Sequence, residues 1–262
     1  MRPVIALLTD FGTADHYAGA MKGVILGICP DATLVDISHD IPAHDVTAGA
    51  LELAASYKFF PAGTIFVAVV DPGVGSARRG VAADTGDYRF VAPDNGVLTQ
   101  VLREAPAKKI VELTERRYAR PTVSRTFEGR DRFAPAAGWL AKGTQLAALG
   151  RPVADIYRLD IPVAEAGPDG IQGVVLRVDR FGNLVTNIDR KAVERLGQAG
   201  AMTIDAAGQR IARLVATYAE LPADGVGALF GSTDHLELAA SSASAADRLG
   251  LGRGAVVTVT KA

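Results

Sequence analysis

The sequence contains little cysteine, almost no net charge and no long apolar run. Its single cysteine, Cys29, excludes an internal disulfide and any metal site built from cysteines alone, which fits a reducing compartment. Because Cys29 lies in an apolar stretch, we expect it to be buried rather than to act as a nucleophile. The formal net charge of −1 gives no basic field that would hold a nucleic acid or an anionic membrane surface.

Sequence signals for membranes and for common cofactors are missing as well. No stretch approaches the roughly 20 apolar residues that a membrane span needs, and the first apolar run stops at Asp10 without the pattern of a secretory signal. Walker-type, nucleophile-elbow and dinucleotide-binding patterns do not occur, so no cofactor is indicated. We therefore expect a soluble, cytoplasmic protein whose partner is a small molecule, with neither nucleic acid nor membrane involved.

Strand-like and helix-like patterns alternate through the first half of the chain. Apolar runs at 4–8 and 64–70 read as buried strands, and helical spacing covers 17–28, 46–57, 97–104 and 132–142. This alternation predicts a mostly parallel sheet covered on both faces. Later segments, among them 173–178, 184–188, 235–239 and 256–260, are short, β-rich and separated by glycines, which indicates a compact barrel or sandwich.

Two carboxylates directly follow the apolar strands. Asp10 ends the first run, and Asp71 ends the run at 64–70, where it begins the turn Pro72-Gly73-Val74-Gly75. Ligands of open α/β sheets bind beyond the carboxyl ends of the strands. The repetition predicts that Asp10 and Asp71 share one cleft.

The Arg78-Arg79 pair follows Asp71 closely enough for the glycine turn to fold one guanidinium back onto the carboxylate. Such a pair would keep Asp71 ionised and in one orientation. A solvated arginine pair beside a turn-capping aspartate is the alternative.

Aspartates and histidines crowd into ten residues as Asp36, His39, Asp40, His44 and Asp45. This density raises the question of a metal site. The spacing matches no common ligand motif, however, and Asp45 is better placed to cap the helix predicted at 46–57, so we expect no metal.

A third cluster, at 177–187, sets an aromatic ring and two amides around a turn between strands. One interpretation is that Phe181 stacks on a planar ligand. The other is a hairpin turn with capping amides.

Six motifs, in this order, resemble the S-adenosyl-L-methionine hydroxide adenosyltransferase family, the water-using relatives of fluorinases and chlorinases. The motifs are Thr9-Asp10-Phe11-Gly12, Tyr17-Ala18-Gly19-Ala20-Met21-Lys22-Gly23, Asp71-Pro72-Gly73-Val74-Gly75, Ala92-Pro93-Asp94-Asn95-Gly96, Thr126-Phe127-Glu128-Gly129-Arg130-Asp131 and Phe181-Gly182-Asn183 through Thr186-Asn187-Ile188. The resemblance runs from residue 4 to residue 260. A set of six ordered motifs is far more specific than any one of them.

The resemblance implies an α/β fold with two domains. We expect an N-terminal α/β domain with a mostly parallel central sheet at 1–155, a linker at 156–169 and a smaller C-terminal β-barrel domain at 170–262. It also implies a homotrimer that binds its ligand between neighbouring subunits. No cofactor is implied, because S-adenosyl-L-methionine is the substrate.

The resemblance also assigns substrate contacts by motif position. Asp10 would bind the ribose hydroxyls, Phe181 would pack near the adenine, and Asp179 and Asn183 would hold the methionine end. The remaining expected contacts to the substrate are Ser232, Ser241 and Ser242, near the base and the amino acid, together with Phe127 and His44.

The resemblance implies Asp71 and Arg78 as two of the family's three catalytic residues, and we expect Glu128 to be catalytic at the third position, which does not match the family. Where the family commonly has histidine in Phe-His-Gly-Arg-Asp, this chain has Glu128. Either Glu128 shares Arg78 with Asp71, which would raise the pKa of one carboxyl group toward that of a useful base, or it only orients Arg78. We favour the first hypothesis.

The implied reaction is hydrolysis of S-adenosyl-L-methionine to adenosine and L-methionine by in-line attack of water on C5′. Halide transfer that forms a 5′-halo-5′-deoxyadenosine is an alternative, although an anion beside Asp71 would be repelled. Two further alternatives are a non-catalytic protein that binds S-adenosylmethionine or adenosine, and a metal-dependent phosphohydrolase built on His39 and Asp40.

Substitution of Glu128 tests its part in the reaction. We expect Glu128→Gln to lower turnover markedly, because the neutral amide removes one of the two carboxylates that would share Arg78, and Glu128→His to retain much of the rate, because histidine is the residue the family commonly has there. Steady-state formation of adenosine by the three proteins measures this. Equal rates for the wild type and the Gln variant would remove Glu128 from the mechanism.

Overall fold

The computed structural model describes residues 2–197, 202–211 and 213–261 of the chain. The chain forms two compact units, Met1–Asp160 and Ile161–Ala262, and the point of division lies within 156–169. No helix in the described ranges is long and apolar enough to cross a membrane.

The first unit is built on one β-sheet. Its strands are β1 (Val4–Thr9), β2 (Thr33–Ser38), β3 (Ile65–Val69), β4 (Gly80–Asp84), β5 (Arg89–Pro93), β6 (Lys109–Leu113) and β7 (Gly150–Pro152). Across the described residues the order is β2-β1-β3-β5-β4-β6-β7. The first four strands in this order are mutually parallel, whereas β4 pairs antiparallel with β5 and β6, so β6 runs with the parallel set.

Helices cover both faces of this sheet. They are α1 (Tyr17–Ile28), α2 (Val46–Ser56), α3 (Thr99–Glu104) and α4 (Ala134–Ala141). Side chains of β1 alternate between the faces: Ile5 and Leu7 join the core with α1 and α4, whereas Ala6 and Leu8 join the core with α2 and α3. Because both faces are covered, the central strands are apolar throughout rather than at alternate positions.

Two helix predictions have different outcomes. The prediction that Asp45 caps α2 is confirmed, because its Oδ1 accepts a hydrogen bond of 2.9 Å from the backbone N–H of Ala48. The helix predicted over 132–142 is wrong at its start, because a π-helical turn, Gly129–Phe133, precedes α4. Pro135 has no N–H to donate to the carbonyl of Asp131, and that carbonyl accepts the N–H of Arg120 instead, at 2.9 Å.

The second unit is a β-barrel. Its elements are β8 (Glu165–Ala166), β9 (Gly170–Val178), β10 (Leu184–Asp189), α5 (Arg190–Leu196), β11 (Met202–Ala206), β12 (Gln209–Ile211), β13 (Val226–Phe230), β14 (His235–Ala240), α6 (Ala245–Leu249) and β15 (Val256–Lys261). The order is β12-β11-β15-β9-β10-β14-β13, and Leu214 bridges to Ala228 of β13, which nearly closes the sheet. The predicted fold class, an α/β domain with a mostly parallel sheet and a smaller β-barrel, is confirmed.

The turn after β3 depends on a glycine that approaches another backbone segment closely. Gly75 has φ of +78°, and a Cβ at this position would overlap the carbonyl oxygen of Arg125. Only glycine combines this backbone conformation with this close approach.

Substituting two glycines separates these two effects. Gly143 also has positive φ, +100°, but an added Cβ would meet no described atom within 4 Å. We expect Gly143→Ala to destabilise the protein by about 1 kcal/mol from backbone strain alone, and Gly75→Ala to destabilise it by a further ~1–3 kcal/mol because the turn must move. Thermal unfolding of the two variants measures the difference, and equal melting temperatures would contradict the close contact.

Candidate active site

The carboxyl end of β3 places Asp71 against Arg78. Arg78 Nε donates a hydrogen bond of 2.9 Å to Asp71 Oδ1, and Arg78 Nη2 donates to Asp71 Oδ2. This two-point geometry fixes the plane of the carboxylate as well as its position. The prediction that one arginine of the Arg78-Arg79 pair folds back onto Asp71 is therefore confirmed.

A second carboxylate binds the same guanidinium. Glu128 Oε2 lies 2.5 Å from Arg78 Nη2, and the side chains of Asp71, Arg78 and Glu128 are only 5%, 10% and 11% exposed. Glu128 Oε1 lies 3.5 Å from Nη1 of the half-buried Arg132, one helical turn further along the chain. The contact between Glu128 and Arg78 is the one that both hypotheses for Glu128 require.

Burial and charge together shift the pKa of Asp71. Burial raises the pKa above the ordinary value of 3.8; the hydrogen bonds and charge of Arg78 oppose that shift, and the negative charge of Glu128 adds to it. Burial disfavours the charged form of Arg78, but its hydrogen bonds to Asp71 and the charges of both carboxylates raise its pKa nonetheless. The site therefore holds a permanent cation beside a carboxylate that is a better base than an ordinary aspartate.

A small cavity of about 190 Å³ opens onto this cluster. Its walls include Asp71, Glu128 and three aromatic rings, those of Phe11, Tyr17 and Phe127. The ring centroids of Tyr17 and Phe127 are 5.1 Å apart in an edge-to-face arrangement. These rings give the cavity an apolar wall beside the two carboxylates.

Asp10 and His44 lie together beyond the end of β1. The backbone N–H of His44 donates a hydrogen bond of 2.9 Å to Asp10 Oδ2, and His44 has a positive φ of 68°. Neither residue lines the 190 Å³ cavity, although β1 and β3 are adjacent and parallel. The prediction that Asp10 and Asp71 share one cleft is therefore still a prediction.

Two further members of the aspartate and histidine cluster near β2, Asp36 and His39, contact other side chains. His39 is buried, with Nδ1 2.8 Å from Thr9 Oγ1 and Nε2 3.1 Å from Asp36 Oδ1. Asp36 also accepts a hydrogen bond of 2.6 Å from Lys22. Among the described residues, no group of three or more His, Cys, Asp or Glu side chains is arranged to hold a metal ion.

The second unit contains a larger cavity, of about 850 Å³, beside the turn between β9 and β10. Its lining brings together all six predicted contacts from this part of the chain: Asp179, Phe181, Asn183, Ser232, Ser241 and Ser242. Phe181 is 77% exposed, so its ring is open to a ligand. The turn is also the capped hairpin of the alternative interpretation, because Asp179 Oδ1 accepts the N–H groups of Phe181 and Asn183.

Sequence reasoning missed several cavity residues. Phe11 and Tyr17 lie inside quoted motifs, so the motifs contained them without indicating their role. Tyr218 and Glu237 lie outside every quoted motif, yet both line the larger cavity. The available signal was a glutamate in the apolar run 235–239, because glutamate is rarely buried in a strand unless it has a partner or a function.

Fold and site together define a two-domain α/β and β-barrel protein with a buried carboxylate–guanidinium–carboxylate cluster. The model of the SAM hydroxide adenosyltransferase N-terminal domain matches residues 5–150, and that of the C-terminal domain matches 173–258. The chain belongs to the S-adenosyl-L-methionine hydroxide adenosyltransferase family.

Similar proteins carry two different names. The (R)-S-adenosyl-L-methionine hydrolase of Salinispora tropica is 36% identical over 261 residues, covering 98% of each chain. The hydrolase of that name from Thermus thermophilus is 37% identical over 264 residues, covering 97% of this chain and 98% of its own. A fluorinase of an Actinoplanes species is 32% identical over 298 residues, covering 99% of this chain and 98% of its own.

A similar crystal structure, of an uncharacterized conserved protein from Thermotoga maritima, superposes with a TM-score of 0.93 at 31% identity. It covers 98% of this chain, and this chain covers all of it. The likeness therefore extends over both units.

Titration of Asp71 tests the electrostatics of the cluster directly. Carbon-13 NMR of labelled aspartate carboxyl groups, with Asp71 assigned from the signal lost in Asp71→Asn, should give a midpoint above 3.8. Glu128→Gln removes a negative charge that raises this pKa, so the midpoint should move to lower pH.

The matched control for this titration is Glu194→Gln. Glu194 is exposed on α5, in the unit that does not contain the cluster, so its substitution should leave the Asp71 midpoint unchanged. A wild-type midpoint at or below 3.8, or one that Glu128→Gln does not move, would contradict the shared guanidinium.

Proposed function

We propose that the protein hydrolyses S-adenosyl-L-methionine to adenosine and L-methionine. The observation that carries this proposal is the pair of carboxylates, Asp71 and Glu128, on one buried guanidinium at the wall of a cavity. Relatives that match nearly the whole chain at 36% and 37% identity are named as hydrolases of this substrate.

In the proposed step, the oxygen of water forms a bond to C5′ while the C5′–S bond breaks. The bonding pair passes to sulfur, which leaves as the neutral thioether of methionine. Because a sulfonium is already a good leaving group, it needs no acid. The demand therefore falls on the nucleophile, since water with a pKa of about 15.7 must shed a proton as the new bond forms.

Asp71 is proposed to orient this water and to accept its proton. Arg78 holds both oxygens of Asp71, so the carboxylate presents one fixed face. The raised pKa makes Asp71 a stronger base toward the proton of water. Orientation of the water toward C5′ contributes further powers of ten in rate. Glu128 is proposed to supply the second negative charge that keeps Asp71 basic, in the position where the family commonly has histidine.

Halide transfer is the second candidate, and similarity to a fluorinase favours it. The charges argue against it. One guanidinium balances only part of the charge of two carboxylates, so a halide beside Asp71 would be repelled in a site of low dielectric constant. Water has no such penalty, and a cationic sulfonium is attracted.

A homotrimer and the absence of a cofactor remain our proposals and rest on the resemblance. A cytoplasmic location remains a proposal that rests on the single cysteine. Light scattering of the purified protein measures the oligomeric state. Activity that persists after exhaustive chelation would agree with hydrolysis that needs no metal.

Product analysis tests the proposed reaction. Purified protein incubated with S-adenosyl-L-methionine in oxygen-18 water should release equal amounts of adenosine and methionine, with the label in the 5′ hydroxyl. Asp71→Asn should lower kcat by about 10²- to 10⁴-fold, whereas Asp87→Asn, at an exposed position, should not change it.

The alternatives give different products in the same assay. Chloride- or fluoride-dependent halodeoxyadenosine would favour halide transfer. Tight binding of unchanged substrate would favour a binding protein.

A further inference from the structure

Arg78 attracts Glu128 by charge but does not direct a hydrogen bond at it. Glu128 Oε2 lies 2.5 Å from Arg78 Nη2, yet this contact lacks the geometry of a hydrogen bond. Arg78 directs that nitrogen and its Nε at Asp71 instead. An ion pair without a directed bond leaves the orientation of the carboxylate open. Glu128 therefore needs a second contact if it is to be held as firmly as Asp71.

Arg132 supplies this second contact. Its Nη1 lies 3.5 Å from Glu128 Oε1, so each oxygen of the carboxylate faces a different guanidinium. Glu128 and Arg132 are four positions apart in sequence, at the π-helical turn Gly129–Phe133, and this spacing makes their side chains neighbours. Arg78 and Arg132 thereby contact Glu128 from two directions.

Arg132 forms its ion pair with Glu128 although other charged groups are near. It lines a surface cavity of about 460 Å³. The other charged groups on the wall of this cavity are Glu112, Glu115, Arg116 and Arg120. The two glutamates pair with other arginines, at 3.0 Å and 3.9 Å, and Arg120 lies 3.4 Å from the buried Asp131. Within the described part of the chain, Arg132 pairs with no carboxylate besides Glu128.

Arg132 is not part of the wall at which the reaction is proposed to occur. The 190 Å³ cavity is lined by Asp71 and Glu128 but not by Arg132. Burial raises the pKa of Asp71, and the charges that act on it besides are those of Arg78, which lowers it, and Glu128, which raises it. The influence of Arg132 on Asp71 therefore depends on where it keeps the carboxylate of Glu128.

We propose that Arg132 is a positioning residue for the hydrolysis, because it holds the Glu128 carboxylate against Arg78 and so keeps the charge of Glu128 beside Asp71. This assignment rests on the proposed function, in which Asp71 is the base. It also explains how a glutamate is accommodated at this position. A buried negative charge is costly unless a partner compensates for it. Arg78 is already engaged by Asp71, so Arg132 is the partner that remains.

Removing the charge of Arg132 tests the assignment. Arg132→Met keeps a long side chain without its charge, so Glu128 loses one of its two contacts. The midpoint of Asp71, measured by carbon-13 NMR of aspartate carboxyl groups, should fall in the same direction as in Glu128→Gln but less far. The value of kcat should fall by about 2- to 5-fold, as expected for an ion pair with a half-buried partner, and KM should change by less than about 2-fold.

Rescue and a double variant separate positioning from a merely structural role. Arg132→Lys should restore most of the midpoint and of kcat, because an ammonium group keeps the charge beside Glu128. In the Glu128→Gln background, Arg132→Met should change neither quantity, because no carboxylate is left to position. Arg132→Gln gives the same test if the methionine variant does not fold.

The matched control is Arg195→Met. Arg195 is exposed on α5, in the unit that does not contain the cluster, so its substitution should leave the midpoint and kcat at their wild-type values. Melting temperatures of all variants would show that the fold is kept.

Failure of this assignment differs from failure of the proposed function. If Arg132→Met raises the Asp71 midpoint, Arg132 acts only as an offsetting charge and the positioning role is overturned. An unchanged midpoint, or an equal effect in the Glu128→Gln background, overturns it as well, while the proposed reaction stands. If the wild-type protein releases no adenosine from S-adenosyl-L-methionine, the proposed function fails, and the titration, which needs no substrate, still decides whether Arg132 holds Glu128.

Discussion

The buried guanidinium of Arg78, shared by two carboxylates, is the interaction on which this account of the protein depends. Asp71, Arg78 and Glu128 are each about nine-tenths buried, so their charges interact with little screening by solvent. One cation and two anions leave a net negative charge, which the half-buried Arg132 partly offsets. That balance holds Asp71 in place while keeping it basic, attracts a sulfonium and disfavours a halide.

Four features of the fold hold this cluster together. The end of β3 positions Asp71, and the tight turn through Gly75 returns the chain to Arg78 while it contacts the backbone of Arg125. The π-helical turn that follows Glu128 exists because Pro135 cannot continue the helical hydrogen bonds backward. The guanidinium of Arg78 also lies 5.4 Å from the ring centre of the fully buried Phe133. Functional sites often coincide with such irregular helical turns.

Much of the fold could be predicted from periodicity, and less of the site. Apolar runs and caps located β1, β3, α1 and α2, because buried strands and helices have strong local patterns. Periodicity did not locate the start of α4, because Pro135 interrupts the helical hydrogen bonds there, and the carbonyl of Asp131 accepts the N–H of Arg120, a residue outside the predicted helix. Asp71 and Arg78 were predictable because a short turn joins them, whereas Glu237 and Tyr218 meet only through the folding of the barrel. Local patterns therefore reveal pairs across one turn, and tertiary structure reveals the rest.

The most direct test of the central claim is a crystal structure with bound substrate, obtained with a slow variant such as Glu128→Gln. The account predicts one ordered water within about 2.6–3.2 Å of the Asp71 carboxylate, opposite sulfur and in line with the C5′–S bond. A structure in which Asp71 lies far from C5′, with no ordered water between them, would contradict it.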